Sequence, residues 1–276
     1  MKNVAILGSN GFLGSYLVNN LKLKNIIPVD RYSHNITSHK KVKEFLKDNN
    51  IHTVINCAFH GNRENANMIY NLELFLNFYN NSDHFDHYIN IGSGAEMHQH
   101  GPRGTEPEEK DILNFSDLYN DDYAFTKNVI SRMCLEKENF STLRLFGCFD
   151  RSEPDHRLFK KLINKEVYVL YNILFDYISA KDFTSIVKYY VENGIVLSDS
   201  VVRKPLYYKD INCVYTKKYF LSDIVDKFFK LNNIKKYQFK DCADTTCHPD
   251  YIGDGSKLSE LPIELEGLEE GLKNYV

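Results

Sequence analysis

The sequence predicts an α/β protein: a doubly wound parallel sheet with a small C-terminal lobe interleaved with it. Three observations carry that expectation. Short apolar runs and helical stretches alternate strictly as far as Phe146. Such a succession calls for parallel strands joined by right-handed crossovers, with helices on both faces. The first apolar run ends in a glycine-rich loop that opens a helix, Gly8-Ser9-Asn10-Gly11-Phe12-Leu13-Gly14. After Gly147 the rhythm loosens, yet no linker, repeat or low-complexity segment divides the chain.

Taken in order, residues 4–7 (VAIL) read as a buried parallel strand ending at Gly8. Helical periodicity over 12–23 follows, then a strand over 26–29 ending at Asp30. Residues 41–49 form a helix with Val42, Phe45 and Leu46 on one face. A third strand over 52–56, a helix over 65–79 and a fourth strand over 87–91 continue the alternation. A long helix over 123–138 leads to a strand over 142–146. Beyond it, 158–163, 181–191, 221–231 and 268–275 look helical, and 167–170 and 211–214 look extended. The expected division is a dinucleotide-binding unit over 1–150, to which parts of 172–204 return. A small substrate-binding lobe takes 151–171 and 205–276.

The bulk properties narrow the function classes. The chain has 276 residues, 43% of them hydrophobic, enough for one large domain with a lobe attached. A net charge of -3 gives no broad reason to bind nucleic acid or an anionic membrane. No run approaches the roughly 18–20 apolar residues that cross a bilayer. The apolar run before Gly8 is too short for a signal peptide, so a cytoplasmic protein is expected. The six cysteines are scattered, and Cys57, Cys148 and Cys213 sit in apolar runs where a reduced thiol packs as a small hydrophobe. Cys242, Cys247 and His248 lack a standard zinc spacing and a fourth ligand. His98 and His100 read as loop residues, and no metal is expected. Residues 105–110 (TEPEEK) read as a solvated loop over the active site.

The glycine loop follows a strand and opens a helix, the context that makes the pattern informative. Gly8 permits the tight turn, Gly11 lets backbone approach a pyrophosphate, and Gly14 lets helix and strand pack closely. The anion then sits at a helix N-terminus, where free N–H groups and the dipole favour it. This is a Rossmann-type dinucleotide site. Asp30, 22 positions after Gly8, is placed to bind the adenosine ribose hydroxyls and to repel a 2′-phosphate. NAD(H) is therefore the preferred cofactor. Arg31 keeps NADP(H) open, because a guanidinium can hold that phosphate.

Tyr123 and Lys127 lie four residues apart on one helix face. A phenol, with an ordinary pKa of roughly 10, is a poor base at neutral pH. A neighbouring cation favours the phenolate, so Lys127 can fit Tyr123 for acid–base work. Tyr123 then takes a proton from an alcohol as hydride leaves, or gives one to a ketone as hydride arrives. Ser93, just past the fourth strand, can hydrogen-bond the reacting oxygen at the sheet edge where open α/β folds bind ligands.

The glycine loop, Asn56-Cys57-Ala58 after the third strand, Ser93, and Tyr123 with Lys127 come in an order that resembles the extended short-chain dehydrogenases/reductases. These are the NAD-dependent sugar epimerases, dehydratases and reductases. The likeness covers essentially the whole chain. Leu143-Arg144-Leu145-Phe146-Gly147 resembles the segment that packs by the nicotinamide, and Phe175-Asp176-Tyr177-Ile178 the family's RDF(I/V) element, with phenylalanine for arginine. Gly253-Asp254 and residues 268–272 resemble its last turns. The resemblance implies cofactor contacts from Gly8, Asn10, Gly11, Phe12, Leu13, Gly14, Asp30, Arg31, Cys57, Ala58, Phe59, Tyr123, Lys127 and Phe146. It implies substrate contacts from Ser93, Gly94 and His156. Where 4,6-dehydratases carry Thr-Asp-Glu this chain has Ser93-Gly94-Ala95, and Glu96 stands one position late. Where GDP-fucose synthases add a cysteine and a histidine, the cysteine position is Ala95, while His156 aligns with the histidine. The expected activity is thus 4-keto reduction of a nucleotide-linked sugar, a small-molecule partner, as in the GDP-fucose synthase-like and dTDP-4-dehydrorhamnose reductase-like enzymes. A 4-epimerase, which needs the same three residues, and a non-catalytic NAD-binding scaffold stay open. A homodimer is compatible with the family.

Overall fold

The computed structural model describes residues 3–30, 34, 36–61, 65–97, 104–113, 121–166, 169–194, 208–235, 240–242 and 249–275. Arg31, His98, His100, Cys247 and His248 lie outside them. Six strands form the main sheet: β1 (Asn3–Leu7), β2 (Ile26–Val29), β3 (Ile51–Asn56), β4 (His87–Ser93), β5 (Phe140–Leu145) and β9 (Asp210–Asn212). Their spatial order is β2-β1-β3-β4-β5-β9 and every pairing is parallel. The chain steps from β1 to β2 on one side, then returns past β1 to β3 on the other. A topological switch point therefore lies between β1 and β3, where doubly wound sheets bind ligands.

Alternation along the strands decides the two faces. Val4 and Ile6, with Ile55, Ile89, Ile91 and Leu143, face a core closed by α1 (Phe12–Asn20) and α6 (Ala180–Glu192). Ala5, Leu7, Val54, Tyr88 and Phe140 face the opposite core. That core is closed by α2 (His39–Asp48), α3 (Met68–Tyr79) and α4 (Asp122–Glu136). This is a Rossmann-type α/β fold. A third core gathers Phe149, Phe159 of α5 (Leu158–Ile163), Phe228 of α7 (Leu221–Leu231), Leu272 of α9 (Leu268–Lys273) and Tyr275. Two parallel two-stranded sheets accompany it, β6 (Gly147–Phe149) with β8 (Tyr177–Ser179), and β7 (Val169–Tyr171) with β10 (Lys240–Cys242). Among the described residues, no helix is long and apolar enough to cross a membrane.

Differences from the sequence reading have local causes. The helix expected over 65–79 starts at Met68 because the Asn67 side chain accepts the Tyr70 N–H and caps it. Asp121 caps α4 in the same way through Ala124 N–H, and Ser38 and Ser179 cap α2 and α6. The helix expected over 12–23 ends at Asn20. β4 runs two residues further, to Ser93, so Ser93 belongs to the strand end itself. β6, β8, β10 and α8 (Ser256–Glu260) were not anticipated; three to five residues are too few to show a period. The segment expected to be solvated, 105–110, does expose Thr105, Glu106, Glu108 and Lys110, but it is pinned at Pro107 and Glu109. Pro107 carbonyl accepts from Asp254 N–H at 2.9 Å and Asn212 Nδ2 at 3.1 Å, and Glu109 is buried.

Candidate active site

The glycine loop is fixed by close packing. Gly8 has φ of +74°, a left-handed conformation that favours glycine, and a Cβ there would lie 2.8 Å from the Ala58 backbone. A Cβ on Gly14 would fall 2.1 Å from Gly8 carbonyl oxygen, so only glycine lets α1 start this close to β1. Gly11 N–H donates to Gly8 carbonyl at 2.9 Å and closes the turn. α1, like α7, has no side-chain cap, whereas α2, α3, α4 and α6 each have one, and the first turn of α1 holds no acidic residue. Its opening N–H groups are left for an anion.

Beside this loop lies a cavity of about 360 Å³. Gly8, Asn10, Gly11, Asp30 and the 57–59 run, all expected cofactor contacts, line it. Ile36, His60, Tyr70 and Leu74 line it too, and sequence reasoning missed them. Tyr70 and Leu74 are one turn apart on α3, so an apolar pair facing the switch point was the signal available. His60 is held against Tyr70, ring centroids 5.1 Å apart, and Asn71 ties its backbone at both N–H (2.7 Å) and carbonyl (3.1 Å). These residues fit a dinucleotide: uncapped N–H groups for its pyrophosphate, the Asp30 carboxylate for ribose hydroxyls, and an apolar wall for a base. Burial pushes the Cys57 thiol up to about 12, with Lys127 pulling it back only in part, so it is a neutral wall.

Past the cavity, the strand ends bring Ser93, Tyr123 and Lys127 into one neighbourhood. Lys127 is buried, and its Nζ donates to Ile91 carbonyl on β4 at 2.7 Å. The same ammonium lies 4.9 Å from the Phe59 ring centroid, and the Tyr123 ring meets Phe59 edge-on at 4.9 Å. Phe59 thus sits against both the tyrosine and the lysine. Tyr123 also packs with Ala95 and Ala124. Ser93 Oγ accepts Ala95 N–H at 3.2 Å and lies 3.4 Å from Tyr251 Oη. Tyr251 was not singled out in the sequence.

The other expected residues are placed as follows. Phe12 and Leu13 open α1, and Phe12 carries the Arg157 guanidinium over its ring at 5.4 Å. Phe146 is wedged between Gly94 and Gly253, where added Cβ atoms would come within 2.3 and 2.4 Å of its ring. His156 is exposed in the turn before α5, apart from the Ser93 contacts. Glu96, the acid standing one position late, faces the core. It is fully buried, accepts hydrogen bonds from Ser93 N–H at 3.1 Å and Ser131 Oγ at 3.0 Å, and pairs with Arg144. Arg144, equally buried, reaches Asp210 at 2.9 Å and Asn212 at 3.0 Å. Burial alone would lower the guanidinium pKa, but Asp210 and Glu96 together raise it, so its charge is secure.

The comparisons agree with this architecture. Residues 4–194 match the model of the NAD dependent epimerase/dehydratase family. Among solved structures, the chain is similar to a GDP-mannoheptose C4 reductase from Campylobacter jejuni with NADP bound. Identity is 18%, coverage 99% of this chain and 96% of that one, and the TM-score 0.76. A dTDP-4-dehydrorhamnose reductase from Clostridium acetobutylicum matches at 20% identity, 100% and 98% coverage and a TM-score of 0.75. A dTDP-glucose 4,6-dehydratase from Bacillus anthracis in complex with NAD matches at 14% identity, 100% and 95% coverage and a TM-score of 0.74. None of the curated protein sequences matches this chain. At such identities the structures share the fold, and that one fold carries both reductases and a dehydratase.

Proposed function

Because this chain belongs to the NAD dependent epimerase/dehydratase family, we propose that it is an NAD(P)-dependent reductase of a 4-keto sugar carried on a nucleotide. The observation that carries the reading is the combination at the end of β4. Ser93, Tyr123 and Lys127 share one neighbourhood, while Gly94 and Ala95 supply no acid or base and Glu96 is turned into the core. That set suffices to move one hydride and one proton. It lacks the groups that water elimination needs.

The nicotinamide, when bound, supplies the hydride to the sugar carbon. Tyr123 gives the proton to the carbonyl oxygen, and Ser93 donates a hydrogen bond that orients that oxygen. The Lys127 ammonium supplies a positive charge one helical turn from the phenolate left on Tyr123. The glycine loop and first turn of α1 hold the pyrophosphate, and Asp30 the adenosine ribose. The neighbouring core around Phe159, Phe228 and Tyr275 is the base of the substrate-binding lobe. His156, at that lobe's exposed edge, is assigned to the nucleotide-sugar rather than to the proton transfers.

A panel of 4-keto-6-deoxy sugars on guanosine, thymidine, uridine and cytidine diphosphates tests the proposal. At least one should consume reduced nicotinamide in a one-to-one ratio with product, with NADH ahead of NADPH. A tenfold or greater advantage for NADPH, roughly 1.4 kcal/mol, would put Arg31 above Asp30 in cofactor choice. Tight cofactor binding with no turnover on any of the four, and no interconversion of 4-hydroxy epimers, would favour a scaffold role.

A further inference from the structure

Tyr251 reaches the active site from the far end of the chain, 158 positions after Ser93. Its backbone is locked on both sides. Tyr251 N–H donates to Leu174 carbonyl at 2.9 Å, and its own carbonyl accepts Asp176 N–H at 3.0 Å. Asp176, the acidic residue of the Phe175–Ile178 motif, accepts Gly253 N–H at 2.9 Å and Lys218 Nζ at 2.8 Å. Lys218 also donates to Gly253 carbonyl at 2.6 Å. The Tyr251 ring stands between Phe146 and Phe175, with centroids 5.2 and 5.1 Å away. It packs with Tyr123 against Ala95 and Ala124. A half-buried ring held by two aromatic neighbours and two backbone bonds has little freedom, so the hydroxyl is fixed at Ser93.

We propose that Tyr251 is a positioning residue that sets the direction of the Ser93 hydroxyl. A serine oxygen has two lone pairs and one proton. Ala95 N–H takes one lone pair at 3.2 Å, and the Tyr251 hydroxyl, 3.4 Å away, donates to the other. The Ser93 proton then has one place to go, the oxygen of the substrate. The serine is made a donor before substrate arrives, and two bonds to its oxygen polarise the third. The two tyrosines that pack with Ala95 and Ala124 then divide the work: Tyr123 transfers a proton, and Tyr251 orients the serine. The inference rests on the reading of Ser93 as the residue that binds the reacting oxygen.

A double-mutant cycle on the full-length protein tests it. Tyr251→Phe keeps the ring contacts and removes only the hydroxyl. We expect kcat to fall about 3- to 10-fold, the worth of one hydrogen bond, with KM for the sugar and cofactor affinity unchanged. The pH profile of kcat should keep both limbs, because Tyr123 still carries the proton. In a Ser93→Ala background the same substitution should cost nothing further. The proposal is overturned if Tyr251→Phe leaves kcat intact, removes a limb of the pH profile, or costs as much without the serine as with it. The contact can be read without any substrate as well, in the thermal unfolding of the same four proteins. Coupled hydroxyls give a double variant whose Tm loss is smaller than the sum of the two single losses. Additive losses overturn the contact, whereas coupled Tm values with no turnover on any sugar would leave the contact standing and remove the proposed reaction.

Discussion

Replacing Tyr123 with phenylalanine is expected to lower turnover by about 10²- to 10⁴-fold, the usual worth of a positioned acid. The ring would keep its edge-on contact with Phe59 and its packing on Ala95 and Ala124. Folding should therefore survive, and cofactor affinity should stay close to that of the unmodified protein. Steady-state kinetics beside isothermal titration of NADH separates these effects. Turnover near the original rate would mean that another group donates the proton, and the Tyr251 hydroxyl, 3.4 Å from Ser93 Oγ, is in position to do so.

Glu96→Gln has an expected effect of similar size, on stability rather than on chemistry. Three donors point at this carboxylate: Ser93 N–H and Ser131 O–H, with the Arg144 guanidinium. Burial pushes the Glu96 pKa up, and the Arg144 guanidinium beside it pulls it back toward the charged form. A glutamine must aim its NH₂ at one set of donors whichever way the amide is turned. It also leaves Arg144 short of one counter-charge. Breaking a buried pair of this kind costs about 3–5 kcal/mol. For a domain of this size that is on the order of 10 °C in Tm. Differential scanning calorimetry gives the answer directly. A variant with unchanged Tm but lost activity would move Glu96 from the core into the chemistry and revive water elimination as a reading.

The glycine loop, the Ser93 strand end and the Tyr123–Lys127 spacing were legible because each is written locally. A left-handed Gly8, a serine closing an apolar strand and two residues one helical turn apart leave marks within a few positions. The parallel sheet was legible for the same reason, since strand and helix periods differ and alternate. What was hidden depends on tertiary placement. Tyr251 sits in a stretch with no period, and it meets Ser93 only because Asp176 and Lys218 draw residues 250–254 onto the strand ends. The fate of Glu96 was equally invisible. In sequence it is an acid one place from a catalytic position, and a single 3₁₀ turn, Gly94–Glu96, rotates it onto Arg144. The partners of Arg144 in its apolar strand show only when Asp210 and Asn212 of β9 are laid beside it.

In a reductase, hydride leaves the cofactor for good and ends on the sugar. The direct measurement follows a deuterium atom from NADH labelled at C4 of the nicotinamide, on either face, into the products by mass spectrometry. With a 4-keto nucleotide sugar that the protein accepts, one deuterium is expected on the sugar, from one labelled face only, with one equivalent of oxidised cofactor. Interconversion of 4-hydroxy epimers with no net oxidation of NADH, and no deuterium passing to the sugar from the added pool, would contradict it and make the protein a 4-epimerase.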